Sequence, residues 1–112
     1  MSAAELNDSM DAAQAVYRKY HDRYDGEIQG CCPLIADEIS RATGGEVVAG
    51  ELTLMGGSIR RTHWWVDLRG VTLDPMGDNI ISHPDDYGDR VEMHRDRAIF
   101  EAILPRYEQW RI

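Results

Sequence analysis

The sequence predicts an α+β domain, and two observations carry that expectation. Apolar residues recur at helical spacing near both ends and again after residue 32. Between residues 47 and 74 the period drops to two, and glycine-containing turns punctuate the pattern. The 112 residues fit one domain, 1–112, with a modest core. A chain of this size buries only about two-thirds of its unfolded surface. Its 43% hydrophobic and 29% charged content is that of a globular chain rather than a disordered one.

Residues 1–8 are expected to be a loose tail. From about Ser9 to Tyr24, Met10, Ala13, Val16, Tyr17, Tyr20 and Tyr24 give a helical stripe, with Asp8 or Ser9 as cap and Gly26 just past the end. A second helix is expected over Cys32–Thr43. Pro33 suits its first position, because the N–H that proline lacks would be unpaired there, and this makes Cys32 the expected N-cap. Gly44-Gly45 stops that helix, and Leu34, Ile35, Ile39 and Ala42 can face the core. Strands follow over Val47–Leu54, Ile59–Leu68 and Val71–Asp74, with Met55-Gly56-Gly57-Ser58 as a hairpin turn and Arg69-Gly70 as a tight one. Residues 75–91 are expected to form an irregular acidic loop. A last helix should begin near His94 or Arg95, using Ala98, Ile99, Ala102 and Ile103, and Pro105 should break it before Tyr107 and Trp110 pack.

The formal net charge of −8 argues against a nucleic-acid backbone or an anionic membrane as the main partner. No apolar run approaches the roughly 20 residues of a membrane span, and the N-terminal residues lack a signal-peptide core, so the default location is cytoplasmic. The two cysteines are adjacent, which fits neither a disulfide framework nor a zinc site. No cofactor is implied.

Three residues in order offer the parts of a nucleophilic site: Cys32, His63 and Asp74. A thiol needs a neighbouring imidazole to take its proton, and a carboxylate orients that imidazole. A cysteine at a helix start lies in the positive end of the helix dipole, which lowers a thiol pKa from about 8.5, and the same N–H groups can receive an oxyanion. Side chains alternate along a strand, so His63, Trp65 and Asp67 share one face and Trp64, Val66 and Leu68 the other, while Asp74 shares a face with Thr72. Taken singly, each residue has a plainer role. Cys32 could be a small buried hydrophobe, His63 a packing residue, and Asp74-Pro75 the start of a turn.

The motifs Gly30-x-Cys32-x-x-x-Ala36, His63-x-Trp65-Val66-Asp67 and Leu73-Asp74-Pro75 resemble the transglutaminase-like branch of the papain-like cysteine enzymes over residues 30–76. The His-Trp-Trp-Val-Asp form is also similar to small bacterial and phage proteins of that superfamily. The resemblance implies a papain-like fold in which a nucleophile helix packs on a small antiparallel sheet with flanking helices. It also implies Cys32 as nucleophile, His63 as base and Asp74 as orienting group. The implied chemistry is hydrolysis or acyl transfer at an amide bond of a peptide or protein substrate. Three features depart from the family pattern: a short His63–Asp74 spacing, Met76 in place of Thr or Ser after Asp-Pro, and the Cys31-Cys32 pair. Cys31 is the alternative nucleophile, or else a packing residue. Gln29 is either an oxyanion donor or a solvated loop residue, and Trp65 either a pocket wall or a core-edge aromatic; Trp64 is expected in the core.

His83, Asp85, Asp86, Asp89 and His94 match no metal-binding spacing and are expected to be a solvated acidic stretch, so no metal is implied. The rival from another class is an acidic binding or inhibitor protein, phage-encoded in one version, and a vicinal-dithiol redox module ranks below it.

Overall fold

The computed structural model describes residues 1–54, 59–74, 89–94 and 97–112. Helices α1 (Ala3–Arg23), α2 (Cys32–Thr43) and α3 (Arg97–Ile103) accompany strands β1 (Glu46–Leu54), β2 (Ile59–Leu68), β3 (Val71–Leu73) and β4 (Asp89–His94). A 3-10 turn over Gln29–Cys31 leads into α2, and a 3-10 segment over Leu104–Trp110 follows α3. The described strands form one antiparallel sheet in the order β3-β2-β1-β4. The α+β class is therefore as expected. Helix α2 lies on β1 and β2, α1 lies on α2, and the C-terminal 3-10 segment packs against α2 and the turn before it.

Helix α1 starts six residues earlier than the spacing of apolar residues suggested. Residues 1–8 are not a loose tail, because Ser2 and Glu5 close a capping box: the Glu5 N–H donates to Ser2 Oγ at 3.1 Å and the Ser2 N–H to Glu5 Oε1 at 3.4 Å. The first turn, Ala3-Ala4-Glu5-Leu6, is largely exposed and carries one large apolar side chain, so apolar periodicity could not reveal it. The helix ends where Asp25 and Gly26 turn to positive φ, and the Gly26 N–H returns to the His21 carbonyl at 2.9 Å.

Helix α2 has the expected span, but Cys31 is its N-cap and Cys32 its first helical residue, with φ −50° and ψ −45°. Gly44 closes it in the left-handed region at φ 79°, and its N–H donates to the Ser40 carbonyl. At Gly45 a Cβ would lie 2.4 Å from Val66 Cγ1, so the helix-to-strand junction presses directly on β2. Leu34, Ile35 and Ile39 are buried as expected, whereas Ala42 is exposed.

The β1–β2 hairpin pairs from Glu46↔Asp67 to Leu54↔Ile59, and the expected turn at residues 55–58 lies outside the described residues. Arg69 and Gly70 join β2 to β3 at φ 51° and 88°, the two positive values that a type I′ turn requires. The Gly70 N–H donates to Asp67 Oδ1 at 2.8 Å.

Two expectations at the C-terminal side are corrected. Residues 89–94 are a strand rather than loop or helix start, paired to β1 through a bulge at Glu51/Leu52. Only Val91 and Met93 alternate there, too short a signal to stand out from an acidic stretch; pairing with β1 decides the conformation. The rest of the expected loop, residues 75–88, lies outside the described residues. Helix α3 starts at Arg97, and its buried anchors are Phe100 and, one turn on in the 3-10 segment, Leu104; Ala98 and Ala102 are exposed. Pro105 marks the change from α to 3-10 geometry.

The core joins Ala13 and Tyr20 of α1, Leu34, Ile35 and Ile39 of α2, Trp64, Val66 and Leu68 of β2, Leu73, Phe100 and Leu104. The Phe100 ring lies against Trp64 with centroids 5.3 Å apart, which fulfils the core reading of that tryptophan. Among the described residues, no helix is long and apolar enough to cross a membrane.

Two measurements follow from this packing. Arg69 holds a positive φ that costs a β-carbon-bearing residue energy and that asparagine tolerates better. Arg69→Asn is therefore expected to raise the free energy of unfolding by about 0.5–1 kcal/mol in urea titration. Burial, and then its bond to Glu38, pushes the Tyr20 phenol far above the ordinary value of about 10. A raised folded-state pKa stabilises fully below the unfolded value, and that contribution is lost as pH climbs above it. Ultraviolet titration above about pH 10 should show Tyr20 ionising only together with loss of circular dichroism, a step absent in Tyr20→Phe.

Candidate active site

Strand β3 places Asp74 by register. Val66 pairs with Leu73, Asp67 with Thr72 and Leu68 with Val71. One further step along the same ladder sets Asp74 across from Trp65 and diagonal to His63, on the face these side chains share. The diagonal is bridged: His63 Nε2 and Asp74 Oδ2 are 2.5 Å apart. The short spacing between the two residues is thus met by the tight turn at Arg69–Gly70.

Both partners are buried, Asp74 to 2% exposure and His63 to 9%. A buried carboxylate is costly unless paired and hydrogen-bonded, and the imidazole supplies that partner. With Asp74 ionised, Nε2 is the nitrogen that carries the proton, and Nδ1 becomes the basic position of the neutral ring. The Trp65 ring is stacked on the imidazole with centroids 5.7 Å apart and planes inclined by 28°, and is itself 2% exposed. Trp65 therefore restrains the ring from its own strand face.

Cys32 opens α2, the helix that packs on β2. It is buried in the cluster that contains Cys31, Leu34, Trp64, Val66 and Leu73. His63, Trp65 and Asp74 alternate with those sheet residues along β2 and β3. Cys31, the N-cap, is also buried, and desolvation pushes its thiol pKa upward, the direction that keeps a thiol protonated. This favours the packing role for Cys31. Gln29 begins the 3-10 turn, but its side chain lies outside the described residues.

Of the residues weighed for a metal, His83, Asp85 and Asp86 lie outside the described residues, and only the backbone of Asp89 and His94 is described, within β4. Among the described residues no three of His, Cys, Asp and Glu are grouped as metal ligands. A cavity of about 320 Å³ lined by Asp37, Ser40, Glu46, Val47 and Phe100 lies toward the other end of α2. By helix rise its lining runs along α2 from about 7 Å beyond Cys32 at Asp37 to about 18 Å at Gly44.

The sequence reading missed the buried acid on α2. Asp37 is 4% exposed, and Arg111 Nη2 donates to its Oδ2 at 2.9 Å from 74 residues away. A carboxylate in the run Leu34-Ile35-Ala36-Asp37 was the available signal; its partner was not legible from spacing.

The chain matches no protein-family model, no curated protein and no solved structure at a significant level.

Asp74→Ala should leave the His63 N–H buried without its acceptor and cost about 3 kcal/mol of stability in urea titration. Long-range nitrogen–proton NMR correlations should show the neutral His63 ring as the Nε2–H tautomer in the wild type.

Proposed function

We propose that the protein is a cysteine-dependent hydrolase or acyltransferase acting on an amide bond in a peptide, isopeptide or glutamine side chain, with a papain-like, transglutaminase-like site. The observation that carries this reading is the buried His63–Asp74 bond on a hairpin packed against the helix that Cys32 opens. A carboxylate bonded to one ring nitrogen is what an imidazole base needs to be held in a single tautomer.

In this mechanism His63 Nδ1 takes the Cys32 proton, and the thiolate attacks the substrate carbonyl. The oxyanion forms near the positive end of α2. Collapse of the tetrahedral intermediate breaks the C–N bond, and the imidazolium returns its proton to the leaving amine. Water or an amine then attacks the thioester, His63 removing the attacking group's proton, and Cys32 is regenerated. Asp74 stays ionised and stabilises the imidazolium through each cycle.

A second reading draws on one observation: the β2 side chains clustered with Cys32 are Trp64, Val66 and Leu68, whereas His63 alternates with them. In that reading His63–Asp74 is a structural pair and the chain, with net charge −8, is an acidic binding protein.

Alkylation by iodoacetamide, measured against pH and mapped by mass spectrometry, separates the two. The catalytic reading expects fast labelling of Cys32 below neutral pH, slowed in His63→Ala, with Cys31 labelled slowly. It also expects Cys32→Ala, with circular dichroism unchanged, and His63→Ala, assayed at a temperature where the variant remains folded, to lose at least about 10²–10⁴-fold in amide turnover. An ordinary thiol profile at Cys32 that ignores His63→Ala would overturn the catalytic reading and favour the binding-protein one.

A further inference from the structure

Two carboxylates lie behind the proposed nucleophile. Asp37 and Glu38 follow Cys32 by five and six residues on α2, about 7–9 Å along the helix axis at 1.5 Å per residue. Both side chains are largely buried, at 5% and 17% exposure. Negative charge at that depth opposes ionisation of a thiol at the helix start and offsets part of the helix dipole.

Among the described residues, three cations answer them. Lys19 Nζ lies 2.5 Å from Glu38 and Arg41 Nε 3.2 Å from Asp37, but these side chains are 40% and 69% exposed, where solvent screens their charge. Arg111 is the inner one at 24% exposure, with Nη2 2.9 Å from Asp37 Oδ2 and Nη1 3.8 Å from Glu38 Oε2. Glu108 grips the same guanidinium at 2.6 and 2.8 Å. The segment that presents Arg111 packs on α2 and on the 3-10 turn that ends at Cys31. Among the described residues, the elements packed about α2 also carry Tyr17 and Tyr20 of α1, Glu46 of β1, His63 and Asp67 of β2, Tyr107 of the 3-10 segment and Cys31, besides exposed charged groups on the outer side of α1.

We propose that Arg111 is a positioning residue for the Cys32 thiolate: by neutralising Asp37 and Glu38 behind the first turn of α2, it keeps that thiolate accessible near neutral pH. The role rests on Cys32 being the nucleophile. Arg111 touches neither substrate nor thiol and acts only through the charge of Asp37 and Glu38, while Glu108 holds the guanidinium in place.

The test is the pH midpoint of Cys32 alkylation in the full chain. Arg111→Met should raise the midpoint by about half a unit to one unit, the effect of one charge at about 9 Å with an effective dielectric of about 30. Arg111→Lys should stay near wild type, Asp37→Asn should lower the midpoint, and adding Asp37→Asn to Arg111→Met should restore it. A merely structural role predicts a lower unfolding temperature with every midpoint unchanged, and that result overturns the proposal. If Arg111→Met does not fold, Asp37→Asn decides alone, and an unmoved midpoint overturns the proposal. Because each shift is read against wild type, a midpoint insensitive to His63→Ala would sink the catalytic reading separately from the Arg111 response.

Discussion

The two-residue turn at Arg69–Gly70 is the constraint on which the candidate site depends. A turn of this length fixes the β2–β3 register with no slack, and a one-residue slip would send Asp74 to the other face of the sheet. Asp74 would then lose the imidazole that makes its burial tolerable, and His63 its acceptor. The Asp67 side chain, which accepts from the Gly70 N–H, belongs to the same stretch that carries the histidine. Local turn chemistry and the placement of a buried ionisable pair are therefore one decision in this chain.

Among the described residues two carboxylates are buried, and they are satisfied differently. Asp74 is paired with an imidazole, a partner able to exchange protons, beside a restraining indole. Asp37 is paired with guanidinium groups, which remain charged at any ordinary pH. The first pairing suits chemistry, the second a constant field. The next residue ties the same segment to α1: the Ile112 N–H donates to the Tyr20 hydroxyl, which in turn donates to Glu38, a partner of Arg111. Much of the helical layer is thus tied by one polar network beneath the apolar core.

What was legible in the sequence follows from how local its cause is. The span of α2 and the two hairpins are set by proline, glycine and alternation within a few residues, and are legible in the sequence. The Ser2–Glu5 capping box is equally local, but its signal is a pair of polar residues three apart rather than an apolar stripe. Strand β4 and the Phe100–Leu104 anchor depend on partners far along the chain: β1 selects one, and Trp64 together with the core the other. Of the candidate site, alternation put His63 and Asp74 on shared faces, and the hairpin register brought them together. The Asp37–Arg111 bond spans 74 residues and leaves no periodic trace.

Gly45 carries a mechanical consequence. Its missing Cβ lets the end of α2 press on Val66, while Arg111 holds Asp37 further up the same helix. The helix is thereby indexed against the sheet at two points along its length, like a shaft keyed at the far end. A one-residue insertion between those points and Cys32 would turn the thiol by about 100° about the axis and advance it by about 1.5 Å. Length variation is thus excluded from this stretch of the chain, whatever residue types fill it, and must be accommodated outside α2.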